Sequence, residues 1–218
     1  MPLDFETQDG PLKVELTRLT IAGWTGRDQA AVAHHIEELA GIGVPRPSRT
    51  PLFYGVSPTL ATQSGEIAVL GGETSGEVEP FLLHSAGRLW LGLASDHTDR
   101  GLEAHSVAHS KQICAKPVAR ALWPFDPLSE RLDTLQLRCW IGEGSERRLY
   151  QSGALASILP LATLLEAAPL AEGEAMLCGT LPALGGITPA SFYDVDLSDP
   201  EAGALRLSYR VRELGVVA

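Results

Sequence analysis

Apolar and polar residues alternate through LKVELTRLTIA, as in a strand that buries one face, and the pattern predicts a single strand over residues 12–22. The next segment, GRDQAAVAHHIEELAGIG, places Ala30, Ala33, His34, Glu37 and Leu39 at helical spacing, with Asp28 as a cap and Gly41 and Gly43 as stops. A helix is expected over residues 27–40. The proline-rich VPRPSRTP that follows can only be an extended connector.

From Leu52 to about Leu93 the pattern switches to short apolar runs separated by Gly, Ser and Glu, clearest in EIAVLGG, EVEPFLL and RLWLGLA. Residues 101–115 read as one helix ended by Pro117. TLQLRCWIG and RRLYQSG read as strands, ALASILPLATLLEAA as a helix bent or started at Pro160, and EAMLCGTLPALGG and GALRLSYRVREL as closing strands. The balance is mixed α+β and mostly β, with a few peripheral helices. No repeat and no long linker divides the chain, so a single domain over 1–218 is expected, with an N-terminal strand and lid-like helix in 1–50 and a β-rich core in 51–218.

A chain of 218 residues, 44% hydrophobic, can bury a core. Its net charge of −10 and lack of Lys/Arg clusters argue against a nucleic-acid or anionic-membrane surface. The acidic start lacks the apolar core of a signal peptide, and no window approaches a membrane span, so a cytoplasmic protein is expected. Cys114, Cys139 and Cys178 are too widely spaced for a zinc site and odd in number, which reads as reduced thiols. None has a neighbouring His that would make it a nucleophile.

The chemistry concentrates in GEVEPFLL and ASDHTDRGLE. Residues i and i+2 of a strand share a face, so Glu77 and Glu79 present two carboxylates roughly 7 Å apart at the backbone. Asp96 arrives at the end of the next apolar run. Three convergent carboxylates form the shell of a hard divalent cation, Mg²⁺ or Mn²⁺ with Ca²⁺ as a further option. The competing reading is the wet face of a sheet followed by an Asp/Thr-stabilised turn.

Six segments, in order over roughly residues 30 to 190, resemble the fumarylacetoacetate hydrolase superfamily. AHHIEELAG is similar to its ADHAKEMG helix, SGEVEPFLL to its Glu-x-Glu strand, and ASDHTDRGLE to NDVTARD. ICAKPVARALWPFDPL is similar to AKSFDTFCPLGP, LYQSGALASILP to RQDGNTSDM, and LCGTLPALGGI to TGTPAGVG. The resemblance implies the superfamily's β-roll, in a divergent bacterial branch, and a metal held by Glu77, Glu79 and Asp96. It also implies a small 2-oxo or 1,3-dicarbonyl acid substrate, and a homodimer.

By the same resemblance His35, or His34 beside it, takes a proton from water while Glu38 orients it from one helical turn away. Lys116, with Lys111 as its rival, steadies the developing oxyanion. Arg100, Gln151 and Thr180 match substrate contacts. Hydrolytic C–C cleavage is the first expectation. A decarboxylase, hydratase or isomerase on the same site, or a non-catalytic ligand-binding relative, stands as the alternative. Three departures stand out: the lysine expected after Phe53 is missing, His97 and Asp99 add polarity beside the acids, and Gly101 replaces an aspartate.

Overall fold

The computed structural model describes residues 2–41 and 45–217, except for the side chains of His35, Glu38 and Leu39. Two sheets dominate it. The six-stranded sheet runs in the order Trp123–Pro124, Arg88–Ser95, Val78–Ser85, Glu174–Leu177, Arg18–Gly23, Leu52–Val56. The five-stranded sheet runs Arg148–Ala154, Gln136–Ile141, Phe192–Asp199, Gly203–Leu214, Glu66–Leu70. Each mixes antiparallel neighbours with one parallel pair.

Side-chain parity explains how they stack. Val78, Leu82, Leu91, Leu93 and Met176 point from the six-stranded sheet to Leu137, Tyr193, Val195, Leu207 and Tyr209 of the five-stranded one. Phe81, Leu83, Trp90, Ala94 and Leu177 point the other way, beneath Leu3, Phe5 and Val14 of an N-terminal hairpin. The Val78–Ser85 strand is therefore apolar on both faces, and only His84 of its eight residues is not buried. It joins Arg88–Ser95 through a tight turn at Ala86–Gly87, both with positive φ, whose N–H groups donate to Glu172 at 2.7 and 3.2 Å.

Several expected elements are divided. Residues 12–22 form two strands, because Gly10–Val14 pairs with Leu3–Thr7 in the hairpin while Arg18–Gly23 enters the six-stranded sheet. Residues 101–115 form two short helices, Arg100–Glu103 and Val107–Gln112, the second started by Ser106, whose Oγ accepts from the His109 N–H. The apolar helix starts only after Pro160, at Leu161–Ala167. In EAMLCGTLPALGG the strand ends at Leu177 and the rest is loop. The helix Gln29–Gly41 forms where expected, with the Asp28 carboxylate accepting from the N–H groups of Ala30 and Ala31, and its described side chains are largely exposed. No helix among the described residues is long and apolar enough to cross a membrane.

Candidate metal centre

The hairpin of the six-stranded sheet runs on past its regular strands, and the acids sit on that extension. The Asp96 N–H donates to the Glu77 carbonyl at 2.9 Å, and Thr98–Asp99 then pairs antiparallel with Thr74–Ser75. Glu77 therefore stands opposite Asp96, and Glu79, opposite Ala94, shares their face. Oxygens of Glu77, Glu79 and Asp96 all lie within 4.8 Å of one another. Glu79 and Asp96 are buried, and Glu77 is partly so.

Such a cluster needs positive charge around it. The Lys116 ammonium stands 2.8 Å from Asp96 Oδ1 while donating to the His97 carbonyl at 2.5 Å. Lys111 donates to Asp96 Oδ2 and lies 3.8 Å from Glu77 Oε2. Arg100 pairs with Glu77 at 3.1 Å, donates to Glu103 at 2.8 Å and to Ser75 Oγ at 2.7 Å. The two lysines that the sequence left as rivals thus meet on opposite oxygens of one carboxylate.

These partners set the protonation states. Burial opposes ionisation of Asp96, but the ammoniums of Lys111 and Lys116 overcome it and hold the carboxyl well below its ordinary range. Glu79 goes the other way, because burial and then the charge of Asp96 push it well above the usual carboxylate value. One N–H supports it, that of Gly179, at 2.8 Å. Gly179 has φ +97°, and a Cβ there would stand 1.7 Å from Thr25 Oγ1, so the loop reaches Glu79 only with glycine at this point.

Gln151 and Thr180 lock that loop to the acid strand. Gln151 Oε1 accepts from the Val78 N–H at 3.0 Å, and its amide donates to Thr180 Oγ1 at 2.8 Å and the Leu181 carbonyl at 2.5 Å. Thr180 Oγ1 in turn donates to the Val78 carbonyl at 2.7 Å. Both side chains are committed to positioning Glu79 and Gly179.

Two departures noted in the sequence lie elsewhere. His97 does not join the acids: it projects through the opposite face of the sheet, between Tyr193 and Tyr209. Its ring nitrogens bond Tyr209 Oη at 3.0 Å and Thr74 Oγ1 at 2.9 Å, and burial, with the charges of Lys116 and Arg100, pushes its pKa down to about 3. Asp99 caps the helix that follows, accepting from the Leu102 N–H at 2.8 Å. Tyr54 stands in place of the missing lysine, its hydroxyl accepting from Trp24 Nε1 at 3.0 Å. His34 lies on the exposed helix, and the side chains of His35 and Glu38 lie outside the described residues.

The residues present fit a divalent ion. The donors are all oxygen, their atoms converge within 4.8 Å of one another, and two of the three carboxylates are buried. Sequence reasoning missed the supporting groups Ser75, Glu103, Thr25 and Gly179. Of these only Gly179 carried a signal, the Gly-Thr pair of its loop.

The family described as protein of unknown function (DUF2848) matches residues 22–209. No curated protein matches. Among solved structures, a candidate fumarylacetoacetate isomerase/hydrolase from Oleispira antarctica superposes with TM-score 0.70 at 18% identity, covering 95% of this chain and 99% of that one. The yeast protein ynq8, a fumarylacetoacetate hydrolase family protein, gives 0.67 at 17%, covering 91% and 94%. A 2-keto-3-deoxyarabinonate dehydratase gives 0.68 at 15%, covering 94% and 78%.

Proposed function

Because the chain belongs to the DUF2848 family and folds as fumarylacetoacetate hydrolase family structures do, we propose that it is a divalent-metal-dependent enzyme acting on a small 2-oxo or 1,3-dicarbonyl acid. The observation that carries this reading is the convergence of the Glu77, Glu79 and Asp96 oxygens beneath a ring of cations. Those three residues would hold Mg²⁺ or Mn²⁺. When bound, the ion supplies Lewis-acid stabilisation of the enolate released as a C–C bond breaks.

The chain's own groups prepare that site. Lys116 fixes Asp96 and the backbone at His97, and Arg100 fixes Glu77. Glu79, held well above the ordinary carboxylate range by burial and the charge of Asp96, is the acid whose ionised form a bound cation would favour. His35 serves as the base that draws a proton from water, oriented by Glu38, and the helix Gln29–Gly41 that carries them acts as a lid. Hydrolytic C–C cleavage is the first choice. The dehydratase of similar fold supports a lyase as the second reading, one that needs no activated water. The assembly is read as a homodimer.

Calorimetric titration of chelator-stripped protein with Mg²⁺ and Mn²⁺, beside a Glu77→Ala/Glu79→Ala variant, tests the metal. One-site binding lost in the variant supports the reading, and equal binding by both removes it. A screen of oxo acids with His35→Ala then separates the reactions, since a hydrolase loses turnover and a lyase keeps most of it.

A further inference from the structure

We propose that Lys111 is a built-in competitor for the divalent ion, a tethered cation that neutralises the acid cluster until metal displaces it from Asp96. The inference rests on reading Glu77, Glu79 and Asp96 as the metal site.

Lys111 projects from the helix Val107–Gln112, which is fastened to the edge of the six-stranded sheet where Gln112 Oε1 accepts from the Ser57 N–H at 2.9 Å. The side chain runs inward until only 7% of it is accessible, and its ammonium bonds Asp96 Oδ2 within 3.8 Å of Glu77 Oε2. A divalent ion on carboxylate oxygens sits about 2.0–2.6 Å from each. An ion that bonds Asp96 through Oδ2, the oxygen Lys111 occupies, therefore lies within roughly 5 Å of that nitrogen, in a buried site where like charges repel strongly. Cation and ammonium are alternatives for the same acids.

Lys116 differs. It reaches Asp96 on the other oxygen and is tied by a second bond to the His97 carbonyl, so it stays in place when the ion arrives. Lys111 is held instead by the carboxylates themselves, its ammonium bonding Asp96 and facing Glu77. Displaced from Asp96, the ammonium becomes available to solvent or to an anionic substrate beside the metal.

The test is Mn²⁺ binding to chelator-stripped full-length protein, measured by calorimetry for the parent and for Lys111→Met. The variant is expected to bind at least tenfold more tightly. In the parent, acetylation by acetic anhydride read by mass spectrometry should label Lys111 at least tenfold faster with saturating Mn²⁺ than without, with Lys116 unchanged. Equal or weaker binding by the variant overturns the proposal and leaves the metal reading standing. Absence of binding by both proteins overturns both. Should the variant fail to fold, the labelling decides: no change at Lys111 under saturating Mn²⁺ overturns the proposal.

Discussion

Lys116 holds two consecutive residues at once, its ammonium 2.8 Å from the Asp96 carboxylate and 2.5 Å from the carbonyl of His97. The Asp96 side chain and the backbone carbonyl of the next residue are thereby fixed by one fully buried cation. Lys116→Met leaves a buried carboxylate with Lys111, among the described residues, as its one remaining cation in contact. A loss of roughly 3–5 kcal/mol in unfolding free energy is expected, measured by urea denaturation. A loss below about 1 kcal/mol would show that the pair is not held as described.

Gly179→Ala meets two obstacles, a positive φ and the Thr25 hydroxyl. The loop must shift, and Glu79 loses its backbone donor. Stability should fall by about 2 kcal/mol or more, and Mn²⁺ affinity should fall with it. Thr25→Ala removes the hydroxyl and methyl contacts but leaves its Cβ at 2.9 Å and the backbone strain, so the double variant recovers only part of the loss. Full recovery would place the whole effect in the Thr25 hydroxyl and methyl contacts.

Gln151 separates a positioning role from a substrate contact. All its polar groups are committed to Val78, Thr180 and Leu181. Gln151→Leu should therefore lower stability by about 1–3 kcal/mol and weaken metal binding without any substrate present. A variant of parental stability and metal affinity, altered only in KM for an oxo acid, would return Gln151 to the substrate.

The thiols give a pH prediction. Burial, the leading cause at each, pushes the Cys114 pKa up to about 11 and raises those of Cys139 and Cys178 as well. A raised thiol pKa keeps the group neutral at pH 8, where only about one Cys114 in a thousand is ionised. Native protein should react negligibly with an aromatic disulfide reagent at pH 8, and unfolded protein should release all three equivalents. Rapid labelling of the native state would contradict the burial of these residues.

The acids and the strands carrying them were legible because period-two spacing fixes which residues share a face, and Glu77 with Glu79 obeys it whatever the packing. The strand Phe192–Asp199 escaped notice although it is central to the five-stranded sheet. Its residues Asp194 and Asp196 pair with Arg147 and Arg138, and acids at alternate positions weaken the apolar run that marks a strand. The break between Val14 and Arg18 was hidden because two strands of different sheets continue the same alternation. His97 was misplaced for a related reason: adjacency to Asp96 in sequence means opposite faces in a strand. The choice between Lys111 and Lys116 could not be made from order along the chain, since both approach Asp96 from different elements.

The Val78–Ser85 strand lies between two apolar layers, with almost no surface of its own toward water. Substitutions along it disturb one layer or the other, whereas the exposed residues 184–187 and the described side chains of the helix Gln29–Gly41 belong to neither. A lineage built on this plan would keep its acidic strand nearly frozen while exchanging the walls around it, so that any change in what is bound would come from remodelling the rim of a fixed acid cluster.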